Sequence, residues 1–264
     1  MKVALGQFAV SRDWQENRAT CSALMQQAAA EHADLLVLPE AVLATDLNDP
    51  LWALQSAQPL DGPFVTALLA VSAEQTLTTL FCMHVPAEEG KAYNTLVAIA
   101  GGKIVAHYKK LHLYDAFTMR ESNTIMAGET LPALLTVAGM NVGLMTCYDI
   151  RFPEMARWLA LQGADVLVLP SAWVKGPLKE HHWETLVTAR ALENTCYMVA
   201  TGECGMRNIG QSMVVDPLGT IIVRAAEAPA LIYAELTAER LAHAREVLPV
   251  LKNRRFAAPV LSSH

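Results

Sequence analysis

Two short runs of this chain nearly repeat each other: Ala33-Asp34-Leu35-Leu36-Val37-Leu38-Pro39-Glu40-Ala41 and Ala164-Asp165-Val166-Leu167-Val168-Leu169-Pro170-Ser171-Ala172. Each holds an unbroken apolar stretch between an aspartate and a proline. A run of that length without polar alternation reads as a strand buried on both faces. Each is preceded by a stretch with helical periodicity, so two similar halves are implied. Helices on one face of a sheet leave the other face to be covered, and packing the two sheets against each other covers both. The expected architecture is α/β, a four-layer α-β-β-α sandwich of two pseudo-symmetric halves. The alternative is chance similarity, because buried strands draw on the same few residues.

The remaining pattern is compatible with this plan. Strands are expected at 3–10, 34–38, 78–85, 93–100, 103–108, 165–169, 197–201, 212–216, 220–224 and 230–235, with a further apolar strand running up to Cys147. Helices are expected at 14–31, from Pro153 to about 162, and at 180–195, with one capped by Asp61 ahead of Pro63. Gly101-Gly102 reads as a hairpin turn. No flexible linker interrupts the chain, so one domain over 1–256 with a tail at 257–264 is expected. With 53% hydrophobic and 17% charged residues the chain has material for a large core. A net charge of −6 and the lack of a Lys/Arg run argue against nucleic acid or an acidic membrane surface as partner. The first residues lack a signal peptide's apolar region, and no run reaches the roughly 18 apolar residues of a spanning helix, so a cytoplasmic location is expected. Cysteines at 21, 82, 147, 196 and 204 are odd in number and form no CxxC pair, which suggests neither a disulfide framework nor a zinc site.

Three residues stand out chemically. Cys147 sits where an apolar strand ends and a helix begins, and the positive end of that helix is expected to favour the thiolate. Its bland reading is a small buried core residue. Glu40 lies beyond the carboxyl end of an apolar strand, where ligand sites of α/β sheets gather. A lysine of Lys109-Lys110 leaves the strand edge in His107-Tyr108-Lys109-Lys110-Leu111-His112-Leu113. Alone, either would usually be a solvated surface residue. Near a catalytic cysteine, an ammonium would stabilise the thiolate and the tetrahedral oxyanion.

The three stretches together resemble the nitrilase (carbon-nitrogen hydrolase) superfamily from about residue 2 to 256. The glutamate motif matches Leu38-Pro39-Glu40, the lysine motif Tyr108-Lys109-Lys110-Leu111-His112-Leu113, and the cysteine motif Cys147-Tyr148-Asp149-Ile150-Arg151-Phe152-Pro153-Glu154. The resemblance implies a nitrilase-type sandwich with Glu40 as general base, Lys110 as oxyanion stabiliser and Cys147 as nucleophile. The family pattern selects Lys110 over Lys109. A supporting glutamate would match Glu121. The implied reaction is amide hydrolysis through a thioester, with the Tyr148 backbone N–H sharing the oxyanion and no metal or organic cofactor.

For the substrate, Arg151 is a candidate to grip a carboxylate, with local pairing as the alternative. The segment 173–183 adds Trp173, Lys175 and Lys179 as a pocket wall. Its His181-His182 pair points to different helix faces and lacks a third metal ligand. Within the superfamily the chain most resembles the deaminated glutathione amidases, in the stretches 110–117, 176–183 and 200–205. This implies a small amide substrate with carboxylates at both ends, Arg151 at its oxo-acid end and Lys175 or Lys179 near its peptide end. The rivals are an ω-amidase acting on 2-oxoglutaramate and a non-catalytic interaction protein on this scaffold. The family also suggests a homodimer, with the helix after Pro153 and the segment 248–256 as interface elements.

Overall fold

In the computed structural model, which describes residues 1–46, 48–49 and 51–262, the two echoed runs form parallel strands in two different sheets. Residues 263 and 264 of the expected tail lie outside the described residues. The first half comprises β1 (Lys2–Gln7), α1 (Trp14–Ala30), β2 (Leu35–Val37), α2 (Trp52–Gln55), α3 (Pro63–Ala73), β3 (Thr78–Pro86), β4 (Ala92–Ala100), β5 (Lys103–Lys109) and β6 (Ile125–Met126). The second comprises β7 (Leu135–Val137), β8 (Met140–Leu144), α4 (Pro153–Leu161), β9 (Val166–Ser171), α5 (Lys179–Asn194), β10 (Tyr197–Gly202), β11 (Met213–Val215) and β12 (Ile221–Arg224). The chain then returns through β13 (Ala230–Glu235), α6 (Ala238–Val247) and α7 (Val250–Asn253).

The halves match strand for strand. One sheet runs β13-β1-β2-β3-β4-β5 with β6 beside β4, and the other runs β12-β11-β10-β9-β8-β7. In the first, β1, β2 and β3 are parallel and β4 and β5 follow antiparallel. In the second, β8, β9 and β10 are parallel and β11 and β12 follow antiparallel. The edges correspond too, since β13 lies antiparallel to β1 as β7 does to β8. The register repeats with them: Val3 faces Leu35, and Val142 faces Val166.

Alternation along the strands assigns the layers. Ala4, Leu36, Leu38, Phe81, Met83, Val97 and Ile99 pack beneath Cys21, Met25 and Ala28 of α1 and Phe64, Val65 and Leu68 of α3. The intervening residues, Val3, Leu5, Leu35, Val37, Leu80, Cys82, Leu96 and Ala98, join the core of the second sheet, which continues to Leu159 of α4 and Trp183, Val187 and Ala191 of α5. Helix, sheet, sheet and helix thus stack in that order.

Local signals set most boundaries. The Asp13 side chain accepts from the Gln15 N–H at 2.7 Å and starts α1. Gly101 and Gly102, at φ +54° and +74°, turn the β4–β5 hairpin where only glycine is unstrained. Asp61 is not the cap of α3. Pro63 occupies the first turn and Gly62 is the cap, while the Asp61 carbonyl accepts from the Thr66 hydroxyl. The first strand stops at Gln7 rather than 10, and the Gln7 side chain donates to the carbonyls of Ala226 and Ala228, both at 2.6 Å. All five cysteines are free, and no helix among the described residues is long and apolar enough to cross a membrane.

Candidate active site

The strand ends of both sheets bring Glu40, Lys110, Glu121 and Cys147 to one cavity of about 580 Å³. Glu40 follows β2, Lys110 follows β5, Cys147 follows β8, and Glu121 opens a short 3-10 turn ahead of β6. The Lys110 ammonium donates to Glu40 Oε1 at 3.0 Å and to Glu121 Oε1 and Oε2 at 3.1 and 2.8 Å. The Cys147 thiol lies beside the Glu40 carboxylate and interacts with it. Glu40 Oε2 accepts from the Ala172 backbone N–H at 2.8 Å, and Tyr114 N donates to Glu121 at 2.6 Å. Asn94, which sequence reasoning missed, donates to Glu40 at 2.7 Å and to Glu121 at 3.2 Å. The available signal was an amide side chain in the largely apolar strand β4. Lys109 points elsewhere and sets its ammonium over the Tyr93 ring at 3.6 Å.

These groups are almost dry: Glu40 is 5% exposed, Lys110 2% and Cys147 8%. Burial alone would raise the Glu40 carboxyl, but the Lys110 charge, the neighbouring Cys147 thiol and the hydrogen bonds from Lys110 and Ala172 hold it below the ordinary carboxylate range. Burial likewise favours neutral Lys110, and Glu121 and Glu40 overcome it to raise the ammonium well above its usual value. Cys147 is pushed well above 9, first by burial and then by the Glu40 charge, with Lys110 only partly offsetting them. The thiol is therefore the resting form. This corrects the expectation of a thiolate favoured by a helix end, because a 3-10 turn, Cys147–Arg151, separates the cysteine from α4. A thiol beside a carboxylate can pass it the proton with no change in the net charge of the cluster.

Cys147 itself has φ +43°, a strained left-handed conformation for a residue with a side chain. Asp149 holds that turn. Its fully buried carboxylate accepts from Thr146 N at 2.9 Å, from the Tyr108 hydroxyl at 2.9 Å, and from His112 through N at 3.2 Å and Nδ1 at 2.8 Å. Tyr108 and His112 flank Lys110, so one side chain ties the lysine segment to the cysteine turn. Gly128 N donates to the Lys110 carbonyl at 2.8 Å, and a Cβ at Gly128 would lie 2.3 Å from the Lys109 carbonyl oxygen.

The far wall gathers cations on aromatic rings. Trp173 is buried and its indole N–H donates to the Lys179 carbonyl at 3.0 Å. The Arg151 guanidinium lies 4.8 Å from the Trp173 ring centroid, and the Lys179 ammonium 5.8 Å from it. Lys179 also donates to the Tyr114 hydroxyl at 2.7 Å and sits 3.9 Å from the Phe117 ring. Neither cation has a carboxylate partner among the described residues, and Arg151 Nε and Nη2 are buried without any hydrogen bond. Tyr148 lines the same cavity, edge-on to Tyr114 at 5.1 Å. Lys175 is not brought in. It is exposed, and its ammonium donates to the Met206 carbonyl at 3.1 Å. Among the described residues no cluster of three His, Cys, Asp or Glu side chains could hold a metal, His181-His182 included.

The family model for carbon-nitrogen hydrolases matches residues 2–246. The chain belongs to the carbon-nitrogen hydrolase family. This carbon-nitrogen hydrolase is 57% identical over 261 residues to deaminated glutathione amidase of Escherichia coli O157:H7, covering 99% of this chain and 100% of the relative. It is 37% identical over 271 residues to human deaminated glutathione amidase, covering 96% of this chain and 82% of the relative. Among solved structures, a CN-hydrolase superfamily protein of Xanthomonas campestris with an arsenic adduct in its active site superposes with a TM-score of 0.86 at 25% identity, over 97% of this chain and 98% of that one. The NitFhit protein of C. elegans superposes with a TM-score of 0.89 at 28% identity, over 96% of this chain and 65% of that one. The protein is a hydrolase of the nitrilase superfamily.

Proposed function

We propose that this carbon-nitrogen hydrolase is an amidase that cleaves the 2-oxoglutaryl amide of deaminated glutathione to 2-oxoglutarate and cysteinylglycine. The observation that carries the reading is the pair Arg151 and Lys179, two cations on one tryptophan with no carboxylate of their own, facing the buried Cys147 cavity. A site built this way is incomplete until an anion enters it, and a planar guanidinium beside an ammonium suits the carboxylate of a 2-oxo acid. Both cations share one ring, so they serve the same end of the substrate. This reading differs from the sequence expectation, which put Arg151 at the oxo-acid end and Lys175 or Lys179 near the peptide end. The 57% identity to deaminated glutathione amidase of E. coli O157:H7 supports the same substrate.

In this reading Glu40 takes the Cys147 proton as sulfur attacks the amide carbon. The oxyanion is held by Lys110 and the Tyr148 backbone N–H. Protonated Glu40 then gives its proton to the leaving amine, cysteinylglycine departs, and 2-oxoglutarate remains as a thioester on Cys147. Glu40 next draws a proton from water as hydroxide adds to the thioester carbon; the C–S bond then breaks, 2-oxoglutarate leaves, and Glu40 returns the proton to the sulfur. Glu121 acts by holding Lys110 between two carboxylates. The enzyme works as a cytoplasmic homodimer. The free thiols support that location, and the exposed apolar Phe256 and Val260, 89% and 90% exposed, support a C-terminal contact with a second copy.

The test is a side-by-side assay on deaminated glutathione, intact glutathione and 2-oxoglutaramate, with intact-protein mass to detect the acyl-enzyme. Deaminated glutathione is expected to be the best substrate, and Cys147→Ala to show neither turnover nor adduct. Preference for intact glutathione would overturn the 2-oxo acid pocket. Preference for 2-oxoglutaramate would make the protein an ω-amidase, and turnover by Cys147→Ala would sink the mechanism.

A further inference from the structure

The loop after β10 carries a guanidinium for which the reaction above has not yet found a use. Glu203 is buried and accepts from the N–H groups of Val10 and Gly205, both at 2.9 Å, and from the Asn208 side chain. Lys175 N donates to the Arg207 carbonyl at 2.6 Å, and Val174 forms an antiparallel bridge with Asn208. The backbone of 205–208 is thus pinned on several sides. Its Arg207 side chain is exposed and has no ion pair or hydrogen bond among the described residues. Arg207 lines the active-site cavity and also an adjoining cleft of about 480 Å³, walled by Val10, Ser11, Thr45 and Asn48. The two spaces meet at Thr45, Asp46, Arg207 and Asn208.

Its distance from the chemistry follows from the chain. Ala172 is fixed at the reacting carboxylate by its bond to Glu40 at 2.8 Å. Val174 lies two residues on, at most about 7 Å away, and its bridge partner is one strand spacing further, about 5 Å. The backbone at 207–208 is therefore at most roughly 15 Å from the Glu40 carboxylate. A departing dipeptide spans about 7 Å from its new amine to its terminal carboxylate, within reach of an arginine side chain. Charge favours the same end. Asp46 is neutralised by Arg12, which stacks on Trp52 at 4.0 Å, and Asp49 caps Leu51 N at 3.0 Å. Arg120, a further guanidinium of the active-site cavity, is engaged by the Met119 carbonyl at 3.3 Å and interacts with Asp115.

We propose that Arg207 receives the terminal carboxylate of the leaving dipeptide and that the adjoining cleft is the leaving-group half of the substrate site. The inference rests on the reading of this enzyme as an amidase for deaminated glutathione. It gives the site one anion anchor at each end, Arg151 with Lys179 for the acyl half and Arg207 for the amine half. Arg207 thereby takes the role expected of Lys175 at the peptide end.

The experiment compares 2-oxoglutaryl-cysteinylglycine with the same compound carrying a C-terminal carboxamide. A charge-assisted hydrogen bond at a partly exposed rim is worth about tenfold. Wild type is expected to lose about tenfold in kcat/KM on amidation, through KM, and Arg207→Ala to lose the same on the acid and nothing further on the amide. Equal wild-type turnover of acid and amide overturns the role of Arg207 and leaves the proposed function standing; this arm needs no variant to fold. An Arg207→Ala enzyme that still discriminates acid from amide also overturns it. If wild type hydrolyses neither compound, the function falls and the leaving-group site falls with it.

Discussion

Replacing Asp149 with asparagine tests whether the lysine segment and the cysteine turn are held by one side chain. The carboxylate accepts four hydrogen bonds, two on each oxygen: His112 N and Nδ1 on Oδ1, Thr146 N and the Tyr108 hydroxyl on Oδ2. Asparagine offers one oxygen, so in either orientation two buried donors meet an amide NH₂. The Tyr108 hydroxyl can rotate and accept, but Thr146 N–H has no alternative. A buried donor left without an acceptor costs about 1–3 kcal/mol, so Asp149→Asn should lose about 3 kcal/mol in a urea titration with m unchanged. Turnover should fall by about 100-fold, the usual consequence of a reacting group displaced by an ångström. Lys179 binds substrate from α5 while Arg151 ends the same turn as Asp149, so KM should rise less than kcat falls and the larger loss should appear in kcat and in the rate of acylation. Tyr108→Phe removes one donor to Asp149 and the acceptor of Leu111 N, at 3.0 Å, and should show a smaller loss of the same kind. A loss of about 3 kcal/mol with unaltered kcat would leave Asp149 a structural residue only. Full stability and full activity would refute the network itself.

Burial first, and then the neighbouring Arg151, lowers the Lys179 ammonium below its ordinary value near 10.5, so kcat/KM should fall as pH rises through that lowered value while kcat does not; Lys179→Arg should move the alkaline limb upward in pH–rate profiles. The Cys196 thiol is raised by burial from 9.0 to about 11, so the native state keeps a proton that the unfolded chain loses. Its contribution is complete below the unfolded value and lost as pH rises from about 9 to about 11, an amount of about 3 kcal/mol, and calorimetry at pH 8 and pH 10 should show Tm dropping in wild type and less in Cys196→Ala. Phe256→Glu with Val260→Glu should shift the sedimentation coefficient from dimer to monomer while α7 and the core remain folded. An unchanged dimer would exclude the C-terminal contact.

The sequence was most legible where backbone and burial demand the same residues. The two buried strands could be read because a parallel strand covered on both faces has no room for polar alternation, and their echo carried the four layers with it. Helix α6 was not legible: only Leu241 and Ala244 of its ten residues are buried, and the Thr237 cap to Arg240 N, at 3.2 Å, stands in for an apolar stripe. In the candidate site, Glu40, Lys110 and Cys147 were marked by motif. Asn94, Ala172 N–H and Arg207 were not, because a backbone N–H has no sequence signature and a lone polar residue gains meaning only from what folds beside it. Lys175 and Lys179 show the same limit, since four residues apart, one before α5 and one at its first residue, they are exposed and buried respectively.

The echo also accounts for where the site lies. Glu40 ends the first copy of the repeated run and Ser171-Ala172 ends the second. Packing the two sheets face to face brings those equivalent ends together, so that the N–H of Ala172 meets the carboxylate of Glu40 at 2.8 Å. The first copy therefore supplies the proton acceptor and the second supplies the backbone donor that orients it. Cys147 joins from the strand beside the second copy, and Lys110 from the outer strand of the first sheet. Neither half alone contains thiol, base and cation. Changes that loosen the contact between the sheets should therefore weaken the hydrogen bond at Glu40 before they unfold either half, and activity should decay with denaturant ahead of secondary structure. If activity and far-ultraviolet circular dichroism are lost together at every denaturant concentration, the junction is as stable as the halves it joins.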